Sequence, residues 1–459
     1  MKAGLTKRKM TFDEHSSDGR SFVSFPITEF LPIKRQMLTW ASRVGIFCFL
    51  DSQDFPAQIP PGLDCLLAAG AAEFLEAPAG NAFQQLRDWA EGRRDWIFGH
   101  FAYDLAAETE PPPTGAAPQC RPDPVGFPDL FFFIPQVVLR LSRDSISIGS
   151  LNADQEAIWN EIRCSCAEPL YAGHARPGFQ DVPAFKAGLT RKAYLDRLAD
   201  LQRHIHRGDC YEINFCQEFY SQPAELDPIA AWWRLGEASP NPFSCLYRLD
   251  ERWLLCASPE RYLKKTGDRV WSQPMKGTIA RHPGRPEADE AARVGLLQSE
   301  KDRSENVMVV DLVRNDLARV CVPGSVAVAE LYGVYPFPQV FQMVSTISGI
   351  LAPGLTWPEA VAATFPMGSM TGAPKNEVIR LIGLYEGQKR GLFSGAVGYV
   401  TPGGDFDFNV VIRSLLYNQG SRYLSYQVGS GITAYSDPAA EYDECLLKAA
   451  GIRKALGME

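Results

Sequence analysis

Runs of apolar residues predict a β-rich region in the first third of the chain. The segments typical of strands are SRVGIFCFL at 42–50, DWIFGHFAY at 95–103 and LFFFIPQVVLRL at 130–141. Loops rich in proline and glycine, such as 110–118, separate them. The stretch 173–183 has the composition of a linker, so we expect an N-terminal β-rich region over residues 1–185.

The pattern changes after residue 186. Apolar residues recur every three or four positions over 190–207, which predicts a helix that stops at Gly208. Further helices are predicted over 287–320, 371–387 and 437–456, and strands over 211–220, 251–259, 392–401, 405–417 and 423–433. Runs of strands with isolated helices predict an α+β fold built on antiparallel sheet, with a second region over 186–459.

Composition and charge narrow the class of protein. The net charge is −8 and the basic residues are scattered, which disfavours a nucleic-acid partner. The apolar run at 44–50 is too short to cross a bilayer and follows no charged leader, so we expect a cytoplasmic protein without a membrane partner. Its 11 cysteines include no CxxC pair and no Gly-x-Cys-x-Gly elbow, so we expect reduced thiols and no glutaminase nucleophile.

Two predicted helices carry paired carboxylates. Asp302 and Glu305 are three residues apart, and Glu441 and Glu444 repeat this spacing with Lys448 four residues further on. Two acidic faces could share a magnesium ion, although each could equally be a solvated helix face. Polar residues in the apolar stretch that follows the first pair are expected to form a structural network if they are buried; they are Asp311, Arg314 and Asn315.

Lys276, in the segment WSQPMKGTIAR at 271–281, is the main candidate for reactive chemistry. Glu260 precedes it by sixteen residues, so the two could act as nucleophile and acid. Spacing alone favours a simpler reading, an ion pair across a hairpin. Arg413 lies in a predicted strand among apolar neighbours and needs a carboxylate partner, either from the protein or from a substrate. Gly-rich bends at 365–375 and 427–433 could offer backbone N–H groups to an anion.

Taken together, these segments resemble the chorismate-utilising enzymes, the family of anthranilate, aminodeoxychorismate, isochorismate and salicylate synthases. The match is dense over 186–456 and looser before it. The motifs that carry it, in the family's order, are SPERYL, PMKGT, SENVMVVDLVRND, GSMTGAPK, SGAVGYV, VVIRS, GSGI and EYDECLLKA. The resemblance implies a fold like anthranilate synthase component I: two large, mostly antiparallel sheets packed as a sandwich, with helices outside.

The resemblance also implies a magnesium site and a chorismate site. Magnesium would be held by Glu305 and Glu444, with Asp302 and Glu441 adjoining, and would grip the ring carboxylate. Arg413 would hold the enolpyruvyl carboxylate. The other implied substrate-binding residues are Thr278, Gln342, Ser369, Gly429, Gly431 and Lys448.

Two positions distinguish the branches of the family. Isochorismate and salicylate synthases carry lysine where this chain has Glu212, and anthranilate synthases carry alanine where it has Lys276. Members that form aminodeoxychorismate carry lysine at the latter position and favour TGAPK in the Gly-rich loop, as here at 371–375. The resemblance thus implies that Lys276 attacks the ring while Glu260 acts as acid. The implied product is 4-amino-4-deoxychorismate, used for p-aminobenzoate and folate, with ammonia from a separate glutaminase subunit.

Two alternatives stay open at this point. The first is the lyase reaction of anthranilate synthase component I. The second is a non-catalytic chorismate-binding subunit, which is raised by Gln342 because members of the family usually carry histidine there. Glutamine can donate and accept hydrogen bonds but cannot act as acid or base near neutrality.

Overall fold

The computed structural model describes residues 20–53, 55, 64–110, 123–165 and 182–458. The predicted loop at 110–118 and the linker at 173–183 lie almost wholly outside these ranges. Elements of the N-terminal part are β1 (Ser21–Pro26), α1 (Phe30–Ala41), β2 (Ile46–Asp51), β3 (Cys65–Ala77), α2 (Ala82–Ala90), β4 (Ile97–Phe101), α3 (Ala106–Thr109), β5 (Leu130–Leu141), β6 (Ser145–Ser150) and α4 (Gln155–Cys164).

The rest of the chain alternates groups of strands with single helices. Its first elements are β7 (Lys186–Ala187), α5 (Arg191–Arg207), β8 (Glu212–Ser221), α6 (Pro228–Ala238), β9 (Phe243–Leu249), β10 (Arg252–Ser258), β11 (Arg261–Thr266), β12 (Arg269–Gln273) and β13 (Met275–Ala280). Its later elements are α7 (Pro286–Gln298), α8 (Glu300–Ala318), β14 (Ala327–Pro336), β15 (Val340–Ile350), α9 (Trp357–Thr364), β16 (Gly372–Ala373), α10 (Lys375–Tyr385), β17 (Ala396–Val400), β18 (Phe406–Asn409), β19 (Ser414–Asn418), β20 (Tyr423–Ile432), α11 (Pro438–Lys448) and α12 (Ala450–Ala455).

Strand β5 joins the two halves of the sheet network. It pairs with β3 along its whole length, with β4 near its start and with β6 near its end. From β3 the pairing continues through β2, β9, β10, β19 and β20 to β8. From β4 it continues through β17, β18, β11 and β12 to β15, which also pairs with β13 and β14. Every pairing in the described part of the chain is antiparallel.

Two large apolar cores lie on opposite faces of these strands. The inner core combines side chains of both halves, such as Phe98, Phe131 and Phe408, with residues of α8. The outer core packs the other face of β2, β3, β10 and β20 against α1, α5, α6 and α10. Each buried Phe or Leu side chain contributes roughly 1.5–3 kcal/mol. The predicted α+β sandwich of antiparallel sheet with outer helices is confirmed.

Local capping signals explain where α5 begins and ends. Thr190 accepts a hydrogen bond from the backbone N–H of Ala193, and Gly208 closes the helix with φ of 89°. The helix predicted over 190–207 is therefore confirmed. Within the ranges that the structure covers, no helix combines the length and the apolar content needed to cross a bilayer.

Three elements predicted as continuous are each divided in two. The single helix over 287–320 is two helices, because the Ser299 side chain accepts the backbone N–H of Asp302 and starts α8 anew. The final helix, predicted over 437–456, is divided at Ala449 into α11 and α12. The strand predicted over 405–417 is two strands, β18 and β19, and residues 410–413 connect them.

Strands from both sides of residue 185 pair directly. Strand β2 pairs with β9, and β4 pairs with β17. The division of the chain at residue 185 into an N-terminal and a catalytic region stays a prediction.

Candidate active site

Lys276 lies at an irregularity of β13. The pairing of β13 with β15 shifts register between Met275 and Thr278, and Gly277 has φ of 101°. A Cβ on Gly277 would lie 3.0 Å from the Cβ of Asp302, so glycine allows both this backbone conformation and the close approach of α8. Bulges of this kind redirect a side chain away from the sheet's regular alternation. The Lys276 side chain is only 15% exposed, so it is an amine in a pocket and not a lysine on a surface turn.

The partner of Lys276 is Glu212, the first residue of β8. Its Oε1 lies 2.5 Å from the Lys276 Nζ, and its side chain is 6% exposed. The ion pair between Lys276 and Glu260 that spacing favoured is therefore absent. Strand β20 runs beside β8 and places the Gly431 backbone under both groups: a Cβ there would be 2.1 Å from the amine and 2.7 Å from the carboxylate. The amine and the carboxylate occupy the space that any side chain at 431 would need.

The charge state of Lys276 follows from its neighbours. Burial lowers the pKa of this amine, but the negative charges of Glu212, Glu305 and Glu444 outweigh that effect. The net result is a pKa above the ordinary value for lysine. This raised pKa keeps the amine an ammonium ion at neutral pH.

Glu260 is a buried acid between β10 and β11. The residue is 4% exposed, and its backbone carbonyl accepts the N–H of Val410, which fixes the turn. Burial raises its pKa to about 7, against the opposing effects of a hydrogen bond with the Ser369 side chain and the charge of Lys276. A pKa near neutrality lets the Glu260 carboxyl carry a proton that it can donate, as suits a general acid.

Arg413 does not lie inside a strand, contrary to the prediction. It occupies the connection between β18 and β19 with φ of 52°, an uncommon conformation for a residue other than glycine. Its Nη1 lies 3.5 Å from the backbone carbonyl of Lys448, and no carboxylate in the described part of the chain is within ion-pair distance. Glu444 acts on the guanidinium only at longer range. Its donors are therefore largely available to a ligand.

Lys448 connects α11 with β20. Its Nζ lies 2.7 Å from Glu444 and donates to the backbone carbonyl of Gly429 at 2.9 Å. Burial raises the pKa of Glu444, but the charge and hydrogen bond of Lys448 outweigh it, so that the pKa is lower than usual. Lys448 therefore keeps a carboxylate ionised beside the Gly-rich bend of β20.

The acidic pairs of α8 and α11 face the Lys276 region. Burial raises the pKa of Glu305, and Lys276 and Lys301 oppose this shift. The negative charges of Glu212 and Glu441 add to it. Glu441 is 4% exposed and makes no side-chain hydrogen bond or ion pair with any described residue. Asp302 accepts a hydrogen bond from the Ser299 hydroxyl at 2.5 Å and packs on Gly277.

The donor set in this region suits a hard cation. Glu441 is a buried residue whose carboxylate is paired with no other residue in the described ranges, so its oxygens are available to a cation. No group of three or more ligating side chains stands ready for an ion within the described ranges. Magnesium requires fewer, because it commonly binds one or two carboxylates and completes its shell with water and substrate oxygens.

Gln342 faces Thr278 across the β13–β15 pair. The Thr278 hydroxyl donates to the Gln342 side chain at 2.8 Å. Gln342 is buried and Thr278 is exposed. The acceptor oxygen of Gln342 is thus satisfied by the protein, while its amide N–H groups make no hydrogen bond with any described residue.

A buried pair that sequence reasoning missed ties two parts of the site together. Arg390 binds Glu386 through two hydrogen bonds of 2.9 and 2.6 Å and is 2% exposed. It also donates to the carbonyls of Met370 at 2.7 Å and Asn214 at 2.8 Å. These carbonyls adjoin Ser369 on one side and the Glu212 strand on the other. The spacing of four between Glu386 and Arg390 was the available signal.

The polar residues of α8 that were expected to form a network do not form a buried one. Asp311, Arg314 and Asn315 are exposed, and the first two pair on the surface at 2.8 Å. The buried pair on this face is instead Asp316 with Lys375, at 2.8 Å. It joins the end of α8 to the start of α10, directly after the Gly-rich loop.

Comparison with known proteins identifies the family. Residues 59–454 match the family described as chorismate binding enzyme. The chain belongs to this family. Among its curated relatives is aminodeoxychorismate synthase component 1 of Klebsiella aerogenes, 37% identical over 349 residues, which cover 75% of this chain and 74% of the relative. Aminodeoxychorismate synthase component 1 of Escherichia coli K12 is 34% identical over 361 residues, which cover 78% of this chain and 76% of the relative.

Other branches of the family are also similar. Anthranilate synthase component 1 of Thermus thermophilus is 34% identical over 79% of this chain and 77% of its own. Among solved structures, the menaquinone-specific isochorismate synthase of Escherichia coli matches with a TM-score of 0.72 at 17% identity, covering 95% of each chain. Anthranilate synthase component I of Streptococcus pneumoniae matches with a TM-score of 0.69 at 22% identity, covering 98% of this chain and 95% of its own. At these identities the two structures establish the fold alone.

Proposed function

We propose that this chain converts chorismate and ammonia to 4-amino-4-deoxychorismate, a precursor of p-aminobenzoate and folate. The observation that carries the proposal is the Lys276 amine, buried 2.5 Å from Glu212 and seated on Gly431. A nucleophile held in this way suits addition to a ring carbon. Relatives that bear the name aminodeoxychorismate synthase component 1 support the same assignment.

The proposed reaction uses Glu260 and Lys276 on one substrate. Glu260, with a pKa of about 7, gives its proton to the hydroxyl that leaves ring carbon 4. The neutral amine of Lys276 adds to carbon 2 as that hydroxyl departs. Ammonia then adds at carbon 4 and expels the lysine, so the enolpyruvyl group is retained.

Several residues would orient chorismate for this attack. Arg413, whose guanidinium has no carboxylate partner in the described part of the chain, would bind the enolpyruvyl carboxylate. Lys448 and the backbone from Gly429 to Gly431 would contact the ring carboxylate. Ser369, hydrogen-bonded to Glu260, would lie against the ring, and Thr278 and Gln342 would border it.

Glu305 and Glu444 would hold magnesium, with Asp302 and Glu441 adjoining. When bound, the ion would draw electron density from the ring carboxylate and so favour addition at carbon 2. The support for this site is the unpartnered buried carboxylate of Glu441 beside Glu305. Calorimetric titration with magnesium should detect binding in the intact protein, and the double variant Glu305→Gln, Glu444→Gln should abolish that heat.

Ammonia is proposed to come from a separate glutaminase subunit. The sequence contains no Gly-x-Cys-x-Gly elbow, and the relatives are named as component 1. We also propose that the protein works in the cytoplasm. Pull-down with a glutaminase subunit of the same cell, followed by assay with glutamine in place of ammonium, tests the partner.

Anthranilate formation is the second candidate, because the Thermus thermophilus relative is named anthranilate synthase component 1. Lys276 weighs against it, since this side chain fills the space in which ammonia would reach carbon 2. Glu212 similarly weighs against attack by water, because isochorismate synthases use a lysine base at that position.

Product identification separates these candidates. The purified protein is incubated with chorismate, magnesium and ammonium salt, and the products are separated and identified by mass. We expect 4-amino-4-deoxychorismate. Anthranilate, isochorismate, or no turnover beside an active control enzyme would each contradict the proposal.

A further inference from the structure

Lys276, the proposed nucleophile, must lose a proton before it can attack. Lys276 is an ammonium ion paired with Glu212, and an ammonium ion has no free electron pair with which to attack carbon. Because the amine is largely enclosed, with its side chain 15% exposed, bulk water has little access to take the proton away. A group inside the site must therefore accept it.

The charged neighbours of Lys276 are few. Glu212 of β8 is the one carboxylate within ion-pair distance among the residues described. Glu305 of α8 and Glu444 of α11 act on the amine at longer range. Glu260, between β10 and β11, also senses its charge, but it is assigned to protonate the leaving hydroxyl. Glu212 is thus the candidate acceptor with the required geometry.

The position of Glu212 is fixed by the strands around it. Its strand pairs with β20 on one side and with β16 on the other, where Glu212 is opposite Ala373. The neighbouring Tyr211 N–H also donates to the Ala373 carbonyl at 2.8 Å. With Gly431 beneath both groups, the 2.5 Å approach of oxygen to nitrogen requires no rearrangement for proton transfer.

We propose, resting on the proposed function, that Glu212 is a further catalytic residue: it accepts the proton of Lys276 before attack and returns it after the lysine is released. The carboxylate at position 212 then takes part in the reaction itself. Its role is more than the lack of the lysine base that would activate water.

The proton and electron balance closes over the cycle. Lys276 ammonium gives one proton to the Glu212 carboxylate, and the freed nitrogen pair forms the bond to carbon 2. The ring double bond shifts, the bond from carbon 4 to oxygen breaks, and the oxygen leaves as water with the proton of Glu260. Ammonia then bonds to carbon 4, the double bond shifts back, and the bond to Lys276 breaks with its electrons on nitrogen. Glu212 reprotonates the amine, and Glu260 regains a proton from the new ammonium group.

The test compares adduct formation in Glu212→Gln and wild type. Each protein is mixed with chorismate and magnesium without ammonia, quenched at intervals, and measured by intact mass for addition of chorismate less one water. At neutral pH we expect the Glu212→Gln rate to be lower by about 100-fold or more, the usual range for loss of a positioned base. The ratio of the wild-type rate to the Glu212→Gln rate should shrink as the pH rises, because hydroxide can then slowly remove the proton in the variant. The loss of protonated Glu260 above about pH 7 slows both proteins alike and does not change this ratio.

Two controls keep the outcome interpretable. Glu225→Gln makes the same change at an exposed pair with Arg422 and should leave the rate unchanged. Chorismate affinity measured by calorimetry should change little in Glu212→Gln, so the effect falls on the rate of attack. Equal or faster adduct formation in Glu212→Gln would overturn the role of Glu212 and leave the proposed function standing. No adduct in wild type would overturn both.

Discussion

Gly431→Ala offers a direct test of how the site is built. Gly431 lies in β20 without a positive φ, so alanine is compatible with the backbone itself. Its Cβ, however, would lie 2.1 Å from the Lys276 Nζ and 2.7 Å from the Glu212 Oε1. Ordinary contacts between such atoms are about 3.5 Å, so the amine must move by more than about 1 Å.

The displacement sets the size of the effect. A misplacement of about 1 Å at a reacting group costs on the order of 100-fold in rate. We therefore expect kcat/KM for ammonia-dependent product formation to fall about 100-fold in Gly431→Ala, mainly through kcat. The unfolding midpoint should change little, because the atoms that must give way are the ends of two flexible side chains and not backbone.

Gly383→Ala is the matched control. Gly383 lies in α10, and a Cβ there would meet no atom within 4 Å. This variant should keep full activity and gain slightly in stability, since alanine favours a helix by about 1 kcal/mol over glycine. If Gly431→Ala keeps activity within threefold of wild type, or loses no more activity than Gly383→Ala does, the contact described for Lys276 is refuted.

Three further variants probe the remaining parts of the site. Glu260→Gln should lower kcat by about 10²–10⁴-fold. The activity of the wild type should fall as the pH rises through about 7, because Glu260 must be protonated to act as the acid. If the pH–rate profile of Glu260→Gln shows the same fall, this role of Glu260 is contradicted. Arg413→Gln should raise the KM for chorismate by roughly tenfold or more, since a hydrogen bond to a charged group contributes about 1.5–3 kcal/mol; an unchanged KM in steady-state assays would contradict carboxylate binding. Arg390→Lys keeps the positive charge but cannot make all the hydrogen bonds of the guanidinium to Glu386 and to the two backbone carbonyls. We therefore expect a larger change in kcat than in KM. An equal loss of activity in Arg390→Lys and Arg390→Met would indicate a purely structural role.

Much of the architecture could be predicted from local signals. Strand β5 matches the predicted run 130–141 at both ends, because its apolar residues are continuous and bounded by turn residues. Helix α5 was predicted from its periodicity and its two caps. These features depend on residues close in sequence.

The break between α7 and α8 was missed although a signal was present. Both helices continue an apolar periodicity, so the pattern alone reads as one helix. Ser299 followed three residues later by Asp302 is a capping pattern, and it marks the break. The pattern likewise left open whether Asp311 and Arg314 are buried, because packing against β15, and not local hydrophobicity, sets which residues of α8 turn inward.

The active-site contacts could not be derived from spacing. Lys276 and Glu212 are 64 residues apart, and they meet only because β8 and β20 pair and β13 is irregular at Gly277. The residues of the site were identified through a resemblance to a family, whereas their partners were not. The nearest carboxylate to Lys276 proved to be Glu212 and not Glu260.

The most direct test of the account is to locate the covalent adduct. The protein is mixed with chorismate and magnesium without ammonia, denatured, digested, and sequenced by tandem mass spectrometry. We expect addition of chorismate less one water on Lys276, and loss of that mass when ammonium is added before quenching. An adduct on another residue, or product formation by wild type with no modified Lys276 at any time, would contradict it.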